Sequence, residues 1–171
     1  MTPKPISNDI VKAEAQRLGF SACGLAPAAA VEESHATHLR HWLAAGKHAG
    51  MRYMEGHEAM RLDPRLLVEG ARTVISVALN YFPAQTVTGI SMYATGKDYH
   101  EVMRERLHQL MEHIGATGRC FVDTAPVLER YWATRCGIGW IGSNHQLIIP
   151  GMGSTFFLGE LLIKEEADHY D

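Results

Sequence analysis

Phe121-Val122-Asp123-Thr124-Ala125-Pro126-Val127-Leu128-Glu129-Arg130, running on to Cys136-Gly137-Ile138-Gly139-Trp140-Ile141-Gly142-Ser143-Asn144, is the stretch on which the fold turns. It reads as a strand over Arg119–Val122 that delivers an acid to a loop. A helix over Val127–Arg135 follows, then a glycine-punctuated turn. Pro126 suits the first turn of that helix, where its missing N–H costs nothing. Asp123 or Thr124 can cap the helix with a side-chain oxygen. On local geometry alone Asp123 therefore reads first as a helix cap, a common role for aspartate before a helix.

Downstream, His145–Ile149 reads as a strand, Pro150–Gly153 as its turn and Ser154–Ile163 as a longer returning strand, together a hairpin. Lys164–Asp171 is acidic and poor in apolar residues and reads as a linker. Upstream, Asp98 N-caps a helix to about Ile114, with Glu101 placed for a capping box and Gly115 as the stop. Thr73–Tyr81 is the clearest strand, β-branched and nearly continuous in its apolar run, as a strand buried on both faces would be. Pro83 ends it, Ala84–Gly89 is a loop, and Ile90–Tyr93 is a short extended piece.

The N-terminal part follows the same logic. Ser7 precedes a helix over Asn8–Leu18 that carries an apolar stripe and stops at Gly19. Phe20–Leu25 is a short buried strand and Val31–Ala45 a second helix. Gly46–Gly56 is irregular, and Asp63-Pro64 opens a turn or short helix. Alternating helices and strands ending in a hairpin predict an α/β (α+β) fold, a mixed sheet with helices on both faces.

Composition narrows the class. The chain has 171 residues, is 46% apolar and 20% charged, and carries a net charge of −3. These values suit one soluble domain with a real core and argue against a broadly basic nucleic-acid footprint. Cys23, Cys120 and Cys136 form no C-x-x-C pair, which points to reduced thiols in a cytoplasmic protein. Three cysteines also fall short of the four thiolates of a cubane iron–sulfur cluster. No signal peptide or membrane span is expected.

Two patterns suggest cofactors and are set aside. His35, His38 and His41 recur every three residues along one helix, but no Cys or acidic residue joins them at ligand spacing, so they read as a wet face. Gly137-Ile138-Gly139-Trp140-Ile141-Gly142 matches G-x-G-x-x-G. A dinucleotide fingerprint follows a strand and opens a helix, whereas this one follows a helix. The glycines read instead as a backbone-rich wall against which a flat ligand can lie.

Four motifs, in order, resemble the epoxyqueuosine reductase family. They are Arg61-Leu62-Asp63-Pro64-Arg65-Leu66-Leu67, Gly96-Lys97-Asp98-Tyr99-His100, Val122–Arg130, and Gly137–Asn144 running into Gly153-Ser154-Thr155-Phe156-Phe157-Leu158-Gly159-Glu160. The resemblance implies a nitroreductase-like, cobalamin-reductase-like fold and a cobalamin-dependent reduction of epoxyqueuosine to queuosine in tRNA, the last step of queuosine synthesis. It implies residues 1–163 as the cobalamin-binding catalytic domain and 164–171 as a linker toward an iron–sulfur module. The two 4Fe–4S clusters of the family find no ligands here.

By the same resemblance Asp123 aligns with the catalytic acid, which would protonate the epoxide oxygen while cobalamin supplies the reductant. Arg61, Ser91, Asp123, Leu147 and Leu158 align with cofactor contacts, Asp123 serving both roles. Donation at neutral pH would call for a raised pKa at Asp123, from burial against the corrin and neighbours such as Trp140. His100 stays outside the ligand set, and no residue is assigned as a metal ligand. The implied partners are tRNA carrying epoxyqueuosine and an iron–sulfur module or external electron donor, with no membrane, for a monomeric protein. Two other functions remain open: a cobalamin-binding module without turnover of its own, and a related cobalamin-dependent reductase of another substrate.

Overall fold

The computed structural model describes residues 4–82 and 87–171. Pro83 and the first part of the Ala84–Gly89 loop lie outside the described residues. Five helices and six strands are seen: α1 Asn8–Arg17, β1 Ala22–Pro27, α2 Glu33–Ala44, α3 Glu58–Leu62, β2 Thr73–Asn80, α4 Tyr99–His113, β3 Gly118–Phe121, α5 Glu129–Arg135, β4 Trp140–Ile141, β5 Leu147–Ile148 and β6 Phe156–Ile163.

The main sheet has the order β1-β2-β6-β3. Alternation along β2 sorts its two faces. Val74 and Ala78 enter one core with Leu162, Leu62, Trp132 and Ala133, under α2, α3 and α5. Ile75 and Val77 enter the other with Val11, Leu107, Leu110 and Leu161, under α1 and α4. Val74, Ile75, Val77 and Ala78 are all 0% exposed. Burial on that scale is worth about 1.5–3 kcal/mol for each larger side chain, which explains why this run forms the central strand it was read as. The α/β (α+β) class with helices on both faces holds.

Several sequence expectations change. The sheet is antiparallel at every strand pair, not mixed; the parallel pairing seen among the described residues is the isolated bridge Ile6–Ala167. β5 does not form a hairpin with β6. It pairs with β4, Trp140 opposite Ile148 and Ile141 opposite Leu147, while β6 runs between β2 and β3. The longer strand buries both faces in the main sheet, and that burial outweighs a local hairpin. Met92–Ala94 is a 3₁₀ turn where an extended piece was expected. The fifth helix starts at Glu129, not Val127, so Asp123 lies too far upstream to cap it.

Asp98 does cap α4, its Oδ1 accepting the His100 N–H at 2.9 Å. Residues 164–171 lie against the body. The Ile6 N–H donates to the Glu166 carbonyl at 2.8 Å, and the Asp171 carboxylate accepts the Leu25 N–H at 2.9 Å and pairs with Lys12. No helix among the described residues is long and apolar enough to cross a membrane.

Candidate active site in the cleft beside Asp123

β3 brings the chain to one end of the sheet, and Asp123 turns it. Asp123 has φ +59°, and the Thr124 N–H donates to the Val122 carbonyl at 2.6 Å across it. This is a three-residue turn in its rarer, strained left-handed form. Strain of this kind persists only where neighbours hold it. Here two side chains do. Glu129, the first residue of α5, accepts the Asp123 N–H on Oε1 at 2.7 Å. Tyr99, the first residue of α4, donates its hydroxyl to Asp123 Oδ2 at 2.6 Å. His100 Nε2 stands 3.5 Å from the same oxygen.

Tyr99 is held in turn. Its ring lies on Phe157 of β6 at 4.0 Å between centroids and 5° between planes, and His100 stacks on its neighbouring side at 4.0 Å. Burial and the Asp123 carboxylate push the phenol well above its usual pKa, so it stays a donor. The Glu129 carboxyl is pushed up to about 7, chiefly by burial, against the help of the Asp123 N–H bond.

These groups open onto a cleft of about 310 Å³. Leu147, Phe156, Phe157 and Leu158 form its apolar floor; Tyr99, Asp123, Glu129, Arg130, Gln146 and Ser154 form its polar rim. Arg130 is anchored by its Nη1 on the His145 carbonyl, and its charge acts on the neighbouring Glu129 carboxyl. An acid at a rim above an apolar floor can give a proton to an oxygen of a flat ligand lying on that floor.

The structure brings Asp123, Leu147 and Leu158 together in this cleft and leaves Arg61 and Ser91 outside its lining. Arg61 is buried at 6% exposed and pairs with no carboxylate among the described residues. Its Nη1 donates to the carbonyls of Met54 (3.1 Å) and Gly56 (2.8 Å), tying down the irregular segment before α3, and burial lowers its pKa. Ser91 precedes the Met92–Ala94 turn and makes no capping bond. Trp140 is half exposed and does not line the cleft, and the Asp123 side chain is 58% exposed, so the burial expected around the acid is not supplied by this chain alone.

His35, His38 and His41 are exposed along α2, as a wet face should be, and no group of three metal-binding side chains exists among the described residues. Sequence reasoning missed Glu129, Tyr99 and Glu160. Glu160 sits within the apolar run Phe156–Ile163 and is fully buried; a carboxylate inside a strand buried on both faces was the available signal.

Residues 61–124 match the family model described as "Epoxyqueuosine reductase QueG, DUF1730". The chain is 45% identical to the epoxyqueuosine reductase of Cellulophaga algicola over 172 residues, taking in 95% of this chain and 56% of that protein. Among solved structures, epoxyqueuosine reductase from Streptococcus thermophilus matches with a TM-score of 0.83 at 28% identity, covering 95% of this chain and 47% of that one. An epoxyqueuosine reductase solved with an epoxyqueuosine-modified tRNA-Tyr stem loop matches with a TM-score of 0.79 at 25% identity, again over 95% and 47%. The chain spans about half the length of the curated relatives it matches.

Proposed function

We propose that this chain, which is similar to epoxyqueuosine reductases over about half of their length, forms the cobalamin-binding, proton-donating part of an enzyme that reduces epoxyqueuosine in tRNA to queuosine. The observation that carries this reading is the strained Asp123 turn, clamped by Tyr99 and Glu129 in a polar-rimmed cleft that also exposes apolar side chains.

The residues fit one wall of a corrin site. Leu147, Leu158, Phe156 and Phe157 offer apolar surface at an open cleft, which a flat macrocycle would cover. The cleft is smaller than the macrocycle, so further contacts come from outside it. In this reading Arg61 supplies guanidinium donors to amide oxygens at the periphery, and the Ser91 hydroxyl supplies another polar contact. Bound cobalamin supplies the low-potential reductant for opening the epoxide. Asp123 gives its proton to the epoxide oxygen as the C–O bond breaks, a contribution typically worth ~10²–10⁴-fold. Tyr99 and Glu129 keep the carboxyl aimed at that oxygen. Electrons come from an iron–sulfur module reached through residues 164–171, or from an external donor.

The test has two parts. The protein is mixed with cob(II)alamin and its visible spectrum recorded. Turnover on epoxyqueuosine-containing tRNA is then measured with a strong chemical reductant. A bound-cofactor spectrum with turnover is expected, and Asp123→Asn keeps the spectrum while turnover falls ~10²-fold or more. No spectral change removes the cobalamin reading. Binding without turnover, with donor supplied, leaves the binding-module function.

A further inference from the structure

Beneath the Asp123 turn lies a second carboxyl that the proposed chemistry does not yet use. Glu160 stands at the middle of β6, opposite Ser76 of β2 and Phe121 of β3. It is 0% exposed. Oε1 is 3.4 Å from the Ser76 hydroxyl, and Oε2 has no partner among the described residues. Among the described residues no cation pairs with it, and the negative charge of Glu129 further opposes its ionisation. A carboxylate left unpaired in such a place is far costlier than the neutral acid.

Glu129 connects this buried group to the cleft. It begins α5, which packs on β2 and β6 above Glu160. It lines the cleft, and its Oε1 is bonded to the backbone of Asp123. Around it stand Asp123, Tyr99, His100 and Arg130 from the rim and Glu160 from below. Two carboxyls that act on each other titrate as a pair, and burial keeps the pair from ionising completely.

We propose that Glu129 and Glu160 together hold one proton beneath Asp123, and that Glu129 passes it to the Asp123 carboxylate after Asp123 has donated its own. The inference rests on the epoxide-reduction reading, which creates the need. Reducing an epoxide to an alkene consumes two electrons and two protons and releases the oxygen as water. Asp123 gives the first proton to the oxygen and becomes a carboxylate. Glu129 then loses its proton, Asp123 regains one, and the second transfer to the hydroxyl completes the water. The electrons are those of the reductant in the proposed reaction, and the pair is refilled from solvent through the open cleft.

The test separates the proton store from the reaction. Infrared difference spectra of the cofactor-free protein near neutral pH should contain a protonated-carboxyl band that shifts in D₂O and is lost or displaced in Glu160→Gln. Absence of that band in the unsubstituted protein overturns the store. In the full-length enzyme, Glu129→Gln keeps an acceptor for the Asp123 N–H but carries no transferable proton. It should lower kcat about tenfold or more, leave KM unchanged, and abolish the alkaline fall of the kcat–pH profile. An unchanged profile overturns the relay while leaving the proposed function intact. Failure of the unsubstituted enzyme to reduce epoxyqueuosine overturns that function, and the infrared result still decides the store.

Discussion

The Tyr99 hydroxyl reaches Asp123 Oδ2 across 2.6 Å, tying the first turn of α4 to the turn that follows β3. Because the ring of Tyr99 is sandwiched between Phe157 and His100, removing only the hydroxyl leaves it in place. Tyr99→Phe should cost about 1 kcal/mol of stability or less. It should lower turnover on the order of tenfold, because the Asp123 carboxyl loses the bond that fixes its orientation at the cleft rim. Thermal melting and steady-state kinetics on the same preparation would check both. Turnover at the unsubstituted level would show that Tyr99 does not aim the acid.

The carboxyl pair sets a direction for pH. The Glu129 carboxyl is raised from 4.5 to about 7 in the folded chain, and burial raises Glu160 above its usual range. Folded protein therefore binds more protons than unfolded protein above pH ~4.5, and stability falls as pH rises. The contribution of Glu129 is full below pH ~4.5 and lost through about 7, and Glu160 extends the loss to higher pH. Glu160→Gln should flatten this slope and melt higher than the unsubstituted protein at pH ~9. A melting temperature that climbs steadily from pH 5 to 9 would contradict the assignment.

Arg61 organises backbone as well as offering charge. Arg61→Ala strips the Met54 and Gly56 carbonyls of their donor and should destabilise the protein by about 1–3 kcal/mol in urea titration. Arg61→Lys should recover only part of this, because the lysine side chain is shorter and its ammonium falls short of the Nη1 position that serves both carbonyls. If cobalamin binding weakened in both variants with no change in stability, Arg61 would be a ligand contact alone.

α5 is pressed onto the sheet at a glycine. A Cβ at Gly24 of β1 would run into the Cys136 carbonyl oxygen at the end of α5. Gly24→Ala should push that helix off the sheet at about 3 kcal/mol, at the upper end of overpacking costs. Because α5 carries Glu129 and Arg130, cofactor binding should weaken with it. Denaturant titration with a spectral binding assay reads both effects.

How much of this was legible in the sequence varies with range. β2 showed itself because an eight-residue β-branched and apolar run has few other fates, and α4 because Asp98 and the stripe through Met103, Leu107 and Leu110 agree. The β4–β5 pair was misread because pairing depends on which partner buries more surface, which neighbours in sequence do not reveal. Asp123 looked like a cap because Pro126 promised an early helix. The left-handed turn at Asp123 defers that helix to Glu129. Tyr99 and Glu129 were quoted within motifs yet acquired roles only when three separate elements converged. Family resemblance implied one set of Arg61, Ser91, Asp123, Leu147 and Leu158; Asp123, Leu147 and Leu158 line the cleft, and Arg61 and Ser91 do not.

The position of β6 has a consequence for how the protein comes into being. It follows β1 to β5 in sequence, yet it lies inside the sheet between β2 and β3. Its partners are dozens of residues upstream, so this pairing closes long loops and belongs among the slow steps of folding. Until β6 enters, β3 has no neighbour, Tyr99 has no Phe157 to lie on, and Glu160 is not yet enclosed. A nascent chain cannot hold a half-built version of this cleft. Floor, clamp and buried acid therefore arrive in one cooperative event, when β6 closes the sheet.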